Sequence, residues 1–231
     1  MAPPAGFVDL STIPDLWFMP GYSTSENPTG ERVPGYGAPT AWLRRDAAVA
    51  LAAVQADLRS EGLGLVVYDA YQPSRASLAL VAWAARHKRK DLLVSGAIGR
   101  HSPNSSGTTV DVGLVDLSLG VPLDMGGSWG AVDGTEEFKT AQWPASYNRE
   151  ILRYFMRAQG FRGVGSRWWH FRLPSAHTRP RDVPYGCHER AEGEWRAPRG
   201  WHRASWTPSR RPLPSRCPTA KRSGGSSGQT K

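Results

Sequence analysis

A chain of 231 residues with 39% apolar content can bury one sizeable core, and it has no apolar run near the length of about 18 residues that a membrane span needs. Its net charge of +9 is unevenly placed: residues 1–173 hold 17 Lys and Arg against 16 Asp and Glu, while residues 174–231 hold 12 against 4. The start, with Pro3 and Pro4, is too broken for a secretory leader, and both cysteines, Cys187 and Cys217, lie in the basic tail. The expectation is a cytoplasmic protein whose core folds without disulfides.

Residues 1–40 are rich in Pro, Gly, Ser and Thr with scattered aromatics (Phe7, Trp17, Phe18, Tyr22, Tyr36), which predicts a loop-rich segment packed by its rings. Over 46–61, Leu51, Val54 and Leu58 recur at helical spacing and Gly62 stops the run, so a helix is expected. Leu65–Tyr68 reads as a short buried strand. Ser74 offers a cap for a helix running to Arg86, with Leu78 and Val81 facing inward. Residues 88–108 read as a basic turn, a short apolar piece and a Gly/Ser/Pro/Asn loop. The basic turn, His87-Lys88-Arg89-Lys90, is a solvated helix end on this reading, not a nucleic-acid patch.

Thr109–Leu117 alternates well enough for a strand, and 118–146, with four glycines between 120 and 130, is irregular. Ser146 can cap a last helix in which Tyr147, Ile151 and Phe155 share a face, with Gly160 ending it. Trp168–Leu173 is a final strand. Strands and helices without a regular βαβ rhythm predict an α+β domain over 1–173, its central sheet mostly antiparallel and flanked by helices. Residues 174–231, with eight Pro, many Arg and Ser and no periodicity, are expected to be a disordered basic tail that meets nucleic acid only non-specifically.

Two stretches carry chemistry. Asp111 closes Ser102-Pro-Asn-Ser-Ser-Gly-Thr-Thr-Val-Asp111, and His170 closes Trp168-Trp169-His170. A catalytic zinc takes three protein ligands and leaves a position for water, whose proton passes to a nearby carboxylate while a cation steadies the oxyanion. Asp111 and His170 suit zinc, but on residue type alone a hydrogen-bonding aspartate and a core histidine are the commoner readings.

These residues resemble a known family, the D-alanyl-D-alanine dipeptidases, zinc enzymes related to the D,D-carboxypeptidases, over roughly residues 7–173. Ser102, Gly107 and Asp111 match the family's Ser-x-His-x-x-Gly-x-x-x-Asp; Trp168, Trp169 and His170 match its Glu-Trp-Trp-His; Tyr68, Asp69, Tyr71 and Pro73 match its Tyr-Asp-x-Tyr-Arg-Pro; and Leu123–Gly126 is typical of it. The resemblance implies zinc held by Asp111 and His170, substrate contacts from Ser102 and Tyr71, and cleavage of D-Ala-D-Ala, a cell-wall precursor.

The departures fall on the chemistry. Asn104 stands at the first zinc-ligand position, Arg167 at the catalytic glutamate and Gln72 at the oxyanion-stabilising arginine, and Gly130 stands where an acidic residue often follows the Met-Gly stretch. A neutral amide oxygen is a poor zinc ligand. Arg167 cannot accept a proton near neutral pH and opposes a dication by repulsion. The expectation is a homologue with absent or strongly impaired catalysis. Two alternatives stand beside it: an active dipeptidase rebuilt around His101 as the missing ligand, and a metal-free protein that binds a small ligand.

Overall fold

A computed structural model of the protein describes residues 2–135, 137–176 and 179–186. In chain order its elements are β1 (Phe7–Asp9), β2 (Trp17–Phe18), β3 (Trp42–Arg44), α1 (Arg45–Ser60), β4 (Leu63–Asp69), α2 (Ser74–Arg86), α3 (Lys90–Val94), β5 (Thr109–Asp116), β6 (Val121–Pro122), α4 (Ala145–Ala158), β7 (Arg162–Gly163) and β8 (His170–Arg172). The class is α+β, as expected. The main sheet runs β2-β4-β5-β8-β7, with β6 added on β5, and only β2 pairs in parallel. β1 and β3 form a separate antiparallel pair.

The core follows from alternation. Leu65 and Val67 of β4 and Val110, Val112 and Leu114 of β5 point into one apolar layer, where α1 adds Leu51, Val54 and Leu58 and α4 adds Leu152 and Met156. Val66 and Val115 face the other way and pack with Trp17. The α1 side chains are fully buried at the predicted spacing, each contributing about 1.5–3 kcal/mol.

Two helices turn different faces inward than expected. In α2 Leu78 is 49% exposed, and the buried face is Ala76, Ser77, Leu80, Trp83 and Ala84, because the small residues allow close approach and Trp83 supplies the bulk. In α4 Tyr147 is 62% exposed, and Ala145, Arg149, Leu152 and Met156 are buried instead. Arg149 turns α4 by taking its guanidinium inward to four backbone carbonyls, those of Met125, Thr135, Glu137 and Phe138. Neither Ser74 nor Ser146 is an N-cap; the helices start after Pro73 and Pro144, and Ser74 Oγ donates instead to the Arg181 carbonyl.

The ring packing expected of the N-terminal segment is present, since Phe7, Trp17 and Tyr36 are buried. Part of the expected tail belongs to this packing. Tyr185 is 1% exposed, with its ring 4.4 Å from Trp42 and stacked at 5.4 Å on Tyr36. Its hydroxyl donates to the Tyr71 carbonyl at 2.6 Å and accepts from the Trp42 N–H. Arg75 pairs with Asp182, and the Arg181 N–H donates to Ser105 O. The reason is local: a Tyr brings both apolar area and a hydroxyl that satisfies two buried backbone groups. Cys187, Cys217 and the rest of the basic tail lie outside the described residues.

Tyr185→Ala is accordingly expected to cost about 3–5 kcal/mol in urea unfolding of the full chain. A loss under about 0.5 kcal/mol, the size of an ordinary surface substitution, would mean that this segment does not hold the body together.

Candidate active site

Pairing between β4 and β5 slips by one residue between Val67 and Asp69: Val67 faces Val112, yet Asp69 faces Asp111. Tyr68 is the extra residue. In a regular strand Tyr68 would face Asp111, and Asp69 would keep step with Leu65 and Val67 and enter the apolar layer; the slip flips the phase and brings Asp69 to the same face as Asp111. On the other side, β5 pairs Asp111 with His170 of β8. Asp69, Asp111 and His170 therefore stand in a row across three strands.

All three are buried, as is Asn104. His170 Nδ1 lies 2.6 Å from Asp111 Oδ1, and with a carboxylate opposite it the ring nitrogen is the donor. The other carboxylate oxygen, Asp111 Oδ2, accepts from the Trp129 indole N–H at 2.9 Å. Trp129 is wedged between Tyr22 (5.0 Å, edge-on) and Tyr68 (5.9 Å, stacked), and a side chain at Gly21 would put its Cβ 2.3 Å from the Trp129 ring. Asp69 accepts from Tyr36 OH at 2.7 Å and from Asn104 Nδ2 at 3.0 Å. Burial, and then the charge of Asp111, push the Asp69 carboxyl well above the ordinary carboxylate range. Burial also raises the Tyr22 hydroxyl; Asp69 and Asp111 add to this, and Arg167 acts against it, so all three charges are felt at one spot.

The loop that carries Asn104 is shaped by its own sequence. Ser102 Oγ accepts the Asn104 N–H at 3.2 Å and so caps the short turn Pro103–Ser106. Gly107 closes that turn at φ +79°, where a Cβ would meet the Phe7 ring at 2.3 Å, so a side chain is excluded on both counts. The Asn104 amide is oriented by its donation to Asp69, which leaves Asn104 Oδ1 buried without a hydrogen-bond partner. Gln72 is joined to this loop through its N–H to Asn104 O, but its side-chain amide donates to Ser77 Oγ at 2.8 Å.

Asp111, His170, Asn104 and Gln72 thus come together, with Arg167, half-buried, close by. Two expected residues do not join them. Tyr71 is fully buried and its hydroxyl accepts from the Val183 N–H, so it is a packing residue. His101 is exposed, and among the described residues no three His, Cys, Asp or Glu side chains gather as a metal-holding group. The sequence placed none of Asp69, Tyr22, Tyr36 and Trp129 at the site. The only signal was Asp69 in the Tyr68-Asp69 pair, and its place beside Asp111 depends on the bulge.

The sequence profile of the D-ala-D-ala dipeptidases (Peptidase_M15) matches residues 4–190. The chain belongs to this family. It is 37% identical over 179 residues to the D-alanyl-D-alanine dipeptidase of Escherichia coli K12, covering 75% of this chain and 87% of that one. It is 31% identical to the dipeptidase of Streptomyces coelicolor, covering 66% and 83% of the two chains, and 29% identical to that of Enterococcus faecalis V583 with the same coverage.

The dipeptidase zinc that the resemblance implies can be tested against this donor set. It offers one carboxylate and one imidazole, already hydrogen-bonded to each other, plus a neutral amide oxygen. That is one strong ligand short of a catalytic zinc site, and the nearby Arg167 cation opposes a dication by repulsion. The residues present do not fit the metal. The site instead closes on itself through hydrogen bonds. Trp129→Phe keeps the ring but removes the N–H from Asp111; it is expected to cost about 1.5–3 kcal/mol in denaturant unfolding, and an unchanged midpoint would show that this bond carries no stability.

Proposed function

We propose that this member of the D-Ala-D-Ala dipeptidase family keeps the family scaffold but has lost the hydrolytic step, wholly or nearly so. The observation that carries this reading is Asn104: its N–H end is tied to Asp69, and its oxygen is a neutral donor where the family pattern has a histidine. Arg167 and Gln72 support it, because neither can do the work of a carboxylate base or of a charged oxyanion donor. What the residues still do is bind and orient. Asp111 and His170 hold each other, Trp129 covers the second Asp111 oxygen, and buried rings exclude water around them. On this reading the protein sits in the cytoplasm, D-Ala-D-Ala is a substrate only of an active form, and the tail meets nucleic acid no more than non-specifically.

Zinc content of the purified full chain, measured with D-Ala release from D-Ala-D-Ala in added zinc, tests this. Substoichiometric zinc without release is expected; one zinc per chain with turnover would overturn it and make His101 the first residue to mutate. One atom favours a second reading, metal-free binding of a dipeptide. Asn104 Oδ1 is a buried acceptor without a donor, suited to an ammonium group. Thermal stabilisation by D-Ala-D-Ala in chelator would support it, and none would dismiss it.

A further inference from the structure

Along β7, the outer strand of the sheet, the protein has a recess of about 1030 Å³ that shares Arg167 with the surroundings of Asp69, Asp111 and His170. The C-terminal half of α4 forms one wall and Glu137–Lys139 the other. Lys139, Arg153, Arg157, Arg162 and Arg167 line it, and Glu137 is the one carboxylate among the described lining residues. Arg153 is paired with Glu150 and lies over the Phe138 ring at 4.1 Å; the other four cations make no ion pair among the described residues. Residues 1–173 have 17 cations and are almost neutral, so five of them around one recess is a concentration that overall charge does not explain.

Phe161, Trp168 and Phe171, each at most 2% exposed, give the recess a rigid apolar floor. Low-dielectric walls focus the field of the cations above them. Four of the five cations are arginines, whose planar forks match phosphate oxygens two at a time. The volume is at the upper end for small-molecule sites, which run to about 1,000 Å³. We propose that this recess binds a multiply charged, phosphate-bearing small molecule. A monocarboxylate would leave most of the positive charge unmatched, and the floor accepts an apolar portion of the ligand.

The test is calorimetric titration of the full chain with inorganic pyrophosphate at low ionic strength, with citrate as the carboxylate counterpart. Saturable pyrophosphate binding is expected, tighter than for citrate and weakened about ten-fold or more in Arg157→Ala/Arg162→Ala. Both residues are exposed, so the variant should fold, which circular dichroism checks. Arg86→Ala/Lys88→Ala removes the same charge elsewhere and should change affinity by less than about two-fold. The proposal falls if pyrophosphate does not saturate, if the remote variant loses as much, or if citrate binds equally well. It falls also if a duplex oligonucleotide, but not pyrophosphate, loses affinity in the groove variant. Arg167 is left intact, so failure here leaves the reading of the dipeptidase site untouched.

Discussion

The triple variant Gln72→Arg, Asn104→His, Arg167→Glu is expected to take up one zinc per chain and to release D-Ala from D-Ala-D-Ala. Each change restores one physical requirement. Histidine at 104 completes three protein ligands with Asp111 and His170, which already lie 2.6 Å apart on paired strands. Glutamate at 167 supplies the proton acceptor and removes a cation from beside the metal. Arginine at 72 returns the charge on the oxyanion. A general base is worth about 10²–10⁴ in rate and an oxyanion donor about 10²–10³, so the triple variant should exceed the unsubstituted protein by at least about 10⁴-fold. Single reversions should recover little, because groups that act as a unit are not additive. Zinc without turnover would mean that base and oxyanion geometry need more than these residues; a folded variant without zinc would overturn the ligand assignment.

Arg149→Met is expected to lower stability by about 3–5 kcal/mol and to loosen the segment 125–138. Arg149 has no exposed surface, yet its guanidinium donates to Met125 O at 2.6 Å, Thr135 O at 2.8 Å and Phe138 O at 3.2 Å, and also to Glu137 O. Methionine can fill the space but takes the guanidinium donors from Met125 O, Thr135 O and Phe138 O, while Glu137 O keeps the Thr140 N–H and hydroxyl. The segment carries Trp129, so a loosened loop should also release the indole from Asp111. Urea unfolding measures the first effect, and amide hydrogen exchange over 125–138 the second. A loss below about 1 kcal/mol with unchanged exchange would show that water replaces the guanidinium easily.

Local pattern was enough for the parts of the fold that depend on it. The spacing of Leu51, Val54 and Leu58 marked the buried face of α1, and the family motifs singled out Asp111 and His170, which the fold pairs. Faces set by polar demand were not legible: Arg149 looks like a surface residue in sequence, and only the convergence of four carbonyls makes its burial favourable. The role of Tyr185 was hidden for a similar reason. It sits in a Pro- and Arg-rich stretch whose composition resembles a solvated tail, while its partners Trp42, Tyr36 and Tyr71 lie more than 100 residues away.

The sequence by itself determined the family and the α+β class, because motif and periodicity are properties of neighbours along the chain. The tertiary structure alone decided that Asp69 joins Asp111 and His170, that Trp129 covers the Asp111 carboxylate and that His101 stays outside. The first hangs on the register slip at Tyr68, which exchanges the face of the side chains beyond it, and the second on a hydrogen bond between residues 18 apart in the chain, which no local pattern encodes.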